Sequence, residues 1–343
     1  MNSEHEVSIE QEVSQVQMQR PHVVLLGAGA SRAACLTGDR NGRILPLMLD
    51  LVKVVNLESL LKQWGINSEQ NFEEIFSDLY EKKQFQKIET IQKAIEDYFD
   101  KIELPEKPTI YDHLILSLRN KDLIATFNWD PLLTQAYLRN KKAGLSLPKL
   151  AFLHGNICIG YCEKDKVKGL AGSPCARCGE RFVSTPLLYP IKNKNYAGDQ
   201  FIANEWKILD WGFKNAFMMT IFGYSGPKTD QEAITAMKNA WGDKNQREME
   251  QTAFITIENE EQICENWDPF IHTHHYEVRS DFYDSWIADH PRRTGEAYIN
   301  QYIEAKFIDQ NAIPRDLDFP ELWEWYTQFK EAERLDKLQV KVK

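Results

Sequence analysis

No stretch of this chain is apolar for long enough to span a membrane. Its hydrophobic segments are broken by Lys, Asp or Gly within about a dozen residues. The first twenty residues also lack an apolar core and carry Glu4, Glu6, Glu10 and Glu12, so they are not a signal peptide and a cytoplasmic location is expected. Basic residues are outnumbered, 41 Lys and Arg against 51 Asp and Glu, for a net charge of −10. That balance argues against general affinity for phosphate backbones, which requires clustered cations. No direct nucleic-acid contact and no membrane contact are expected. The local basic groups, Lys192, Lys194 and Lys207 and then Arg292 and Arg293, read as solvated surface. Cysteine is scarce as well, at 6 in 343 residues, yet four of the six fall between positions 158 and 178.

What is present suits one large domain or two ordinary ones. Residues 1–20 read as a flexible leader. Val23-Val24-Leu25-Leu26 is a short buried strand. Residues 45–119 form a long helical insertion. Leu47, Leu51, Val54 and Val55, then Phe72, Ile75, Phe76 and Leu79, then Ile88, Ile91, Ile95 and Phe99 recur there at helical spacing. Further strands are expected at 123–126, 150–153, 216–222 and 252–257, with helices at 131–139, 200–215 and 229–242. This alternation predicts an α/β fold: a Rossmann-like, mainly parallel sheet with helices on both faces. The main domain is placed at 21–265. The aromatic-rich remainder, 266–343, reads as helical and suits either core packing or an oligomer contact.

Four strands end in small or polar residues. Gly27-Ala28-Gly29-Ala30-Ser31 follows the first, Thr126-Phe127-Asn128-Trp129-Asp130 the second, His154-Gly155 the third and Gly223-Tyr224-Ser225 the fourth. A parallel sheet gathers such ends along one edge, where ligands bind. The glycine turn alone suits either a phosphate cradle or a plain tight turn. Thr126, Asn128 and Asp130 share a face if the strand continues. His154 beside them can move a proton near neutral pH. An acidic residue about 20 positions past the glycines, after a second strand, would mark a dehydrogenase; here that region is helical.

Cys158 and Cys162, with the pair Cys175 and Cys178, suit a tetrahedral structural zinc site in a small module over 156–185. Cys158 lies in an apolar run, which also suits a core position. Cys35 and Cys264 read as ordinary thiols. His272, His274 and His275 suit a surface or interface loop more than a metal site.

With these residues in place, the chain resembles the sirtuin (silent information regulator) superfamily over about residues 22–260. GAGAS at 27–31, Thr126-x-Asn128-x-Asp130, His154-Gly155 followed by the cysteines, and Gly223-Tyr224-Ser225 carry the resemblance in order. It implies NAD as substrate. Gly27, Ala28, Gly29 and Ser31 would meet the diphosphate, and Thr126, Gly223, Tyr224 and Ser225 would line the rest of the nucleotide. Asn128 would position the ribose and water, His154 would take the proton, and Asp130 would support Asn128. The loop Ala34-Cys35-Leu36-Thr37-Gly38-Asp39-Arg40-Asn41-Gly42 departs from the S-G-I-P-D-F-R-G-like loop of the protein deacylases. The helical insertion and the tyrosine of the second turn are instead similar to the sirtuin-like NADase effectors of bacterial antiphage defence. The resemblance therefore implies an NAD⁺ hydrolase; since constitutive NAD⁺ loss would harm the host, restraint by a homo-oligomer or a partner defence protein is expected. NAD-dependent deacylation and a non-catalytic NAD- or ADP-ribose-sensing subunit are the alternatives.

Overall fold

The computed structural model describes residues 5–190, 196, 198–226, 231–243, 247, 251–271 and 276–340. The chain enters through strand β1 (Glu6–Val7) and helix α1 (Ile9–Ser14), then forms β2 (His22–Leu26) and α2 (Ala28–Ala34). Five helices follow before the next strand: α3 (Leu51–Val54), α4 (Glu58–Gln63), α5 (Phe72–Glu81), α6 (Phe85–Phe99) and α7 (Ile110–Leu116). Their apolar faces repeat at helical spacing, as in α6, which buries Ile88, Ile91, Ile95 and Phe99. Then come β3 (Leu123–Thr126), α8 (Leu132–Asn140) and β4 (Lys149–Phe152). A small three-stranded antiparallel sheet is made of β5 (Ile159–Cys162), β6 (Val167–Leu170) and β7 (Val183–Ser184). Helix α9 (Gln200–Asn215), β8 (Met218–Phe222), α10 (Gln231–Trp241), β9 (Gln251–Ile255), α11 (Glu260–Trp267) and β10 (Tyr276–Arg279) complete the central layer.

Among the described residues, six strands pair in the order β10-β9-β8-β2-β3-β4, all parallel. Val24, Leu26, Ile124 and Phe152 face the insertion helices, while Val23, Leu25, Leu123 and Leu153 face α9 and α10. Strands buried on both faces read as continuous apolar runs, as these do. The chain builds outward from β2 through β3 to β4, and later from β8 through β9 to β10 on the other side. The order therefore reverses beside β2, and the crevice at such a point is where open α/β sheets bind ligands.

The free edge of β4 is met by side chains. The Phe152 amide donates to Glu205 on α9 at 2.8 Å, and Lys168 on β6 donates to the Leu150 carbonyl at 2.6 Å. Lys168 and Glu205 are themselves paired at 2.6 Å.

Three expectations need correction. The segment expected to be a flexible leader is docked from residue 5 onward. Ser8 and Gln11 form a capping box, and buried Glu12 meets buried His290 at 3.0 Å. Arg292 and Arg293, expected on the surface, are buried, because Glu333 pairs with both at 2.6 and 3.0 Å. The carbonyls of Leu116, Leu118, Ser146, Val13 and Arg292 accept further bonds from the two guanidinium groups. The sheet also continues past residue 265, where Tyr276–Arg279 adds a strand. Beyond it lie α12 (Trp286–Asp289), α13 (Thr294–Tyr298), β11 (Phe307–Ile308), which pairs with β1, α14 (Phe319–Trp325) and α15 (Lys330–Val340). Lys192, Lys194 and the cluster His272, His274 and His275 lie outside the described residues. No helix among those described is long and apolar enough to cross a membrane.

Candidate active site

The two glycine turns stand back to back at the reversal point. Gly27 donates its amide to the Phe222 carbonyl, and Gly29 donates to Gly223, each at 3.0 Å. A Cβ on Gly27 would sit 2.4 Å from the Gly223 oxygen, and one on Gly223 would sit 2.2 Å from the Ala30 nitrogen. The glycines are therefore fixed first by this close contact of two backbones. Of the amides of residues 27–29, only that of Ala28 has no partner among the described residues. Gly27→Ala is expected to cost about 1–3 kcal/mol by overpacking against main chain that cannot yield. Urea unfolding should show a lower midpoint; an unchanged midpoint would contradict the contact.

Behind this contact lies a fully connected polar cluster. Asn128 donates through Nδ2 to the Gly27 carbonyl at 2.8 Å and to Ser31 Oγ at 2.9 Å. Ser31 donates to Asp130 Oδ2 at 2.6 Å and lies 2.7 Å from the hydroxyl of Tyr111 on α7. Asp130 also accepts the Leu132 amide at the start of α8. Thr126 Oγ1 accepts the Asn128 amide at 3.0 Å, which turns the chain out of β3. Asn156 ties the segment down by donating to the Asp130 carbonyl at 2.7 Å. Burial pushes the Asp130 carboxyl up to about 6, against the lowering pull of Ser31 and the Leu132 amide. Burial likewise pushes the Tyr111 hydroxyl up.

His154 belongs to a neighbouring aromatic cluster at the same edge. Phe127 meets its ring edge-on at 4.7 Å and stacks on Tyr224 at 4.4 Å. Tyr196 lies with its hydroxyl 3.4 Å from His154 Nε2. Helix α9 holds the strand end that carries the histidine, since Trp206 Nε1 donates to the Leu153 carbonyl at 3.1 Å. The structure thus brings Gly27, Gly29, Ser31, Asn128, Asp130 and the Gly223 turn together. It sets His154 and Tyr224 beside them, both in contact with Phe127. Ser225 is half-buried, and its carbonyl accepts from Asn266.

The metal module differs from expectation in one ligand. The ligand atoms of Cys162, Asp165, Cys175 and Cys178 lie within 4.8 Å of one another. Cys162 and Cys178 sulfurs are 3.5 Å apart, and Asp165 Oδ2 is 3.2 Å from Cys175 Sγ. Zinc–sulfur bonds of about 2.3 Å at tetrahedral angles put sulfurs about 3.8 Å apart, so this set fits zinc. Cys158 is excluded from it. It sits in the turn that leads into β5, at the opposite end of that strand from Cys162, and is not among the gathered ligand atoms. Cys158 instead donates to Asn156 Oδ1 at 3.0 Å, and burial pushes its thiol up to about 11. The sequence did hold a signal for Asp165, because Cys162 to Asp165 repeats the two-residue gap of Cys175 to Cys178. Tyr111 and Asn156 gave no such signal.

No family model matches this sequence, and no curated protein matches it. Among solved structures, it is similar to Sir2 in complex with the inhibitor EX-527, 2'-O-acetyl-ADP-ribose and a deacetylated p53 peptide. Identity is 15%, covering 83% of this chain and 94% of that one, with a TM-score of 0.37. A structure concerned with sirtuin substrate affinity gives 16%, 81%, 94% and 0.40 for the same measures. A mutant Sir2 homologue in complex with ADP ribose gives 11%, 95%, 97% and 0.36. At such scores nothing about activity passes from those proteins to this chain.

Proposed function

We propose that this protein hydrolyses NAD⁺ at the nicotinamide N-glycosidic bond, releasing nicotinamide and ADP-ribose. The observation that carries this reading is the fixed amide of Asn128. Both of its N–H donors are committed to Gly27 and Ser31, and its Oδ1 has no partner among the described residues. A lone acceptor held rigidly at a sheet edge suits ribose hydroxyls and an attacking water. The glycosidic bond breaks with its electron pair leaving on nicotinamide, which neutralises the pyridinium. Water forms the new bond to the ribose carbon, and its proton passes to His154. The Ala28 amide at the start of α2 would meet the diphosphate. The aromatic pair of Phe127 and Tyr224 offers an apolar wall to the nucleotide. Bound zinc would be structural, since four protein ligands leave no open position; Cys162, Asp165, Cys175 and Cys178 would hold it.

Purified protein incubated with NAD⁺ alone is expected to release nicotinamide and ADP-ribose in equal amounts. Nicotinamide release that needs an acetyl-lysine peptide would assign a deacylase instead. Tight binding without product would assign a sensing subunit. A part in antiphage defence rests on the sequence motifs, and NAD⁺ levels in infected cells test it. A host that keeps its NAD⁺ through infection would count against that part.

A further inference from the structure

Ser31 has a hydroxyl with one donor and two acceptor positions. All three are occupied within the protein. It donates to Asp130 at 2.6 Å and accepts from Asn128 Nδ2 at 2.9 Å, so the hydroxyl of Tyr111, 2.7 Å away, must be the donor on its side. The direction is forced: Tyr111 donates to Ser31, and Ser31 donates to Asp130. Asn128 Nδ2 has a further, longer approach to the Tyr111 oxygen at 3.3 Å. Both partners of the Tyr111 hydroxyl are thus polar groups of the candidate site, although its ring is wholly buried on a helix of the insertion.

That helix has little freedom. Thr109 and Asp112 form a capping box at its start. Asp112 is also paired with Arg139 and accepts from Asn140 at 2.7 Å, both on α8. Helix α8 begins two residues after Asp130, so α7 is anchored to the element that leaves the site.

We propose that Tyr111 is a positioning residue of this site, holding Ser31 and through it the orientation of Asn128 and Asp130. Ser31 is then the centre of a relay rather than a diphosphate ligand, and the helical insertion sets the geometry of the sheet edge. The inference rests on the reading of the site as NAD⁺-cleaving.

Tyr111→Phe keeps the buried ring and removes only the donor. Its kcat for nicotinamide release is expected to fall about 10- to 100-fold, the range for a displaced catalytic group, with KM for NAD⁺ within about twofold of wild type. Ser31→Ala breaks the centre of the relay and is expected to show the same split. Circular dichroism and urea unfolding on both variants confirm that the fold persists. A Tyr111→Phe protein with wild-type kcat, or a Ser31→Ala protein whose loss lies wholly in KM, overturns the relay while leaving the NAD⁺ reading intact. Absence of turnover by the wild-type protein removes both.

Discussion

Replacing His154 with phenylalanine is expected to reduce nicotinamide release from NAD⁺ by about 10²–10⁴-fold, the contribution of a general base. Phenylalanine is the informative substitution because His154 also packs. Its ring meets Phe127 edge-on and lies parallel to Tyr196 at 5.9 Å. An aromatic replacement keeps those contacts and removes both nitrogens. The backbone at this position is held by hydrogen bonds from its neighbours. Leu153 donates to Thr126, Trp206 donates to Leu153, and Leu188 donates to the His154 carbonyl at 2.9 Å. Folding should therefore survive, and the loss should fall on kcat. A His154→Phe protein that turns over NAD⁺ like wild type would remove the histidine from the reaction. Asn128→Ala should be comparably inactive, but less stable as well, because Ser31 Oγ loses a buried donor and the Gly27 carbonyl keeps only that of the Ala30 amide.

Removing the metal is expected to have the largest structural effect. Among the described residues, the small sheet of β5, β6 and β7 has Cys162, Cys175 and Phe182 as its own buried centre, while Ile159 and Tyr161 of β5 pack into the main core. A core that small does not hold three strands together by burial alone. Structural zinc contributes apparent folding energies of about 10–16 kcal/mol in zinc-finger peptides, so the ion dominates such a module. Purified protein should carry one equivalent of zinc, and Cys158→Ser should keep it. Cys175→Ser and Asp165→Ala should lose it and become sensitive to proteolysis between residues 159 and 184. Retention of the full equivalent by Asp165→Ala, with loss in Cys158→Ser, would restore the four-cysteine set.

The sheet and the site edge were legible because buried parallel strands leave unbroken apolar runs, and each run here ends abruptly in small or polar residues. Periodicity also placed the insertion helices. Ligation was harder to read. A cysteine count sees sulfur alone, so it passes over Asp165 and accepts Cys158, which sits in the turn before β5, away from the other ligand atoms. Tyr111 was hidden for another reason: inside an amphipathic helix a buried tyrosine looks like any core residue, and its hydroxyl partners are 80 and 17 residues away. Arg292 and Arg293 misled in the same way, since a pair of cations reads as surface until Glu333, about 40 residues on, is placed against them. The strand at 276–279 is short and half-exposed, without the apolar run that marks its neighbours.

The salt-bridged lysine and glutamate along β4 have a consequence for how the chain behaves when damaged. An uncovered outer strand is a template for intermolecular β-addition, and proteins guard such strands with charge or with covering elements. Here the guard is assembled from two separate parts of the chain, and Lys168 arrives only when the three-stranded module is folded. Loss of the ion would withdraw that cover from a strand two residues from His154. Inactivation and self-association would then begin at the same place.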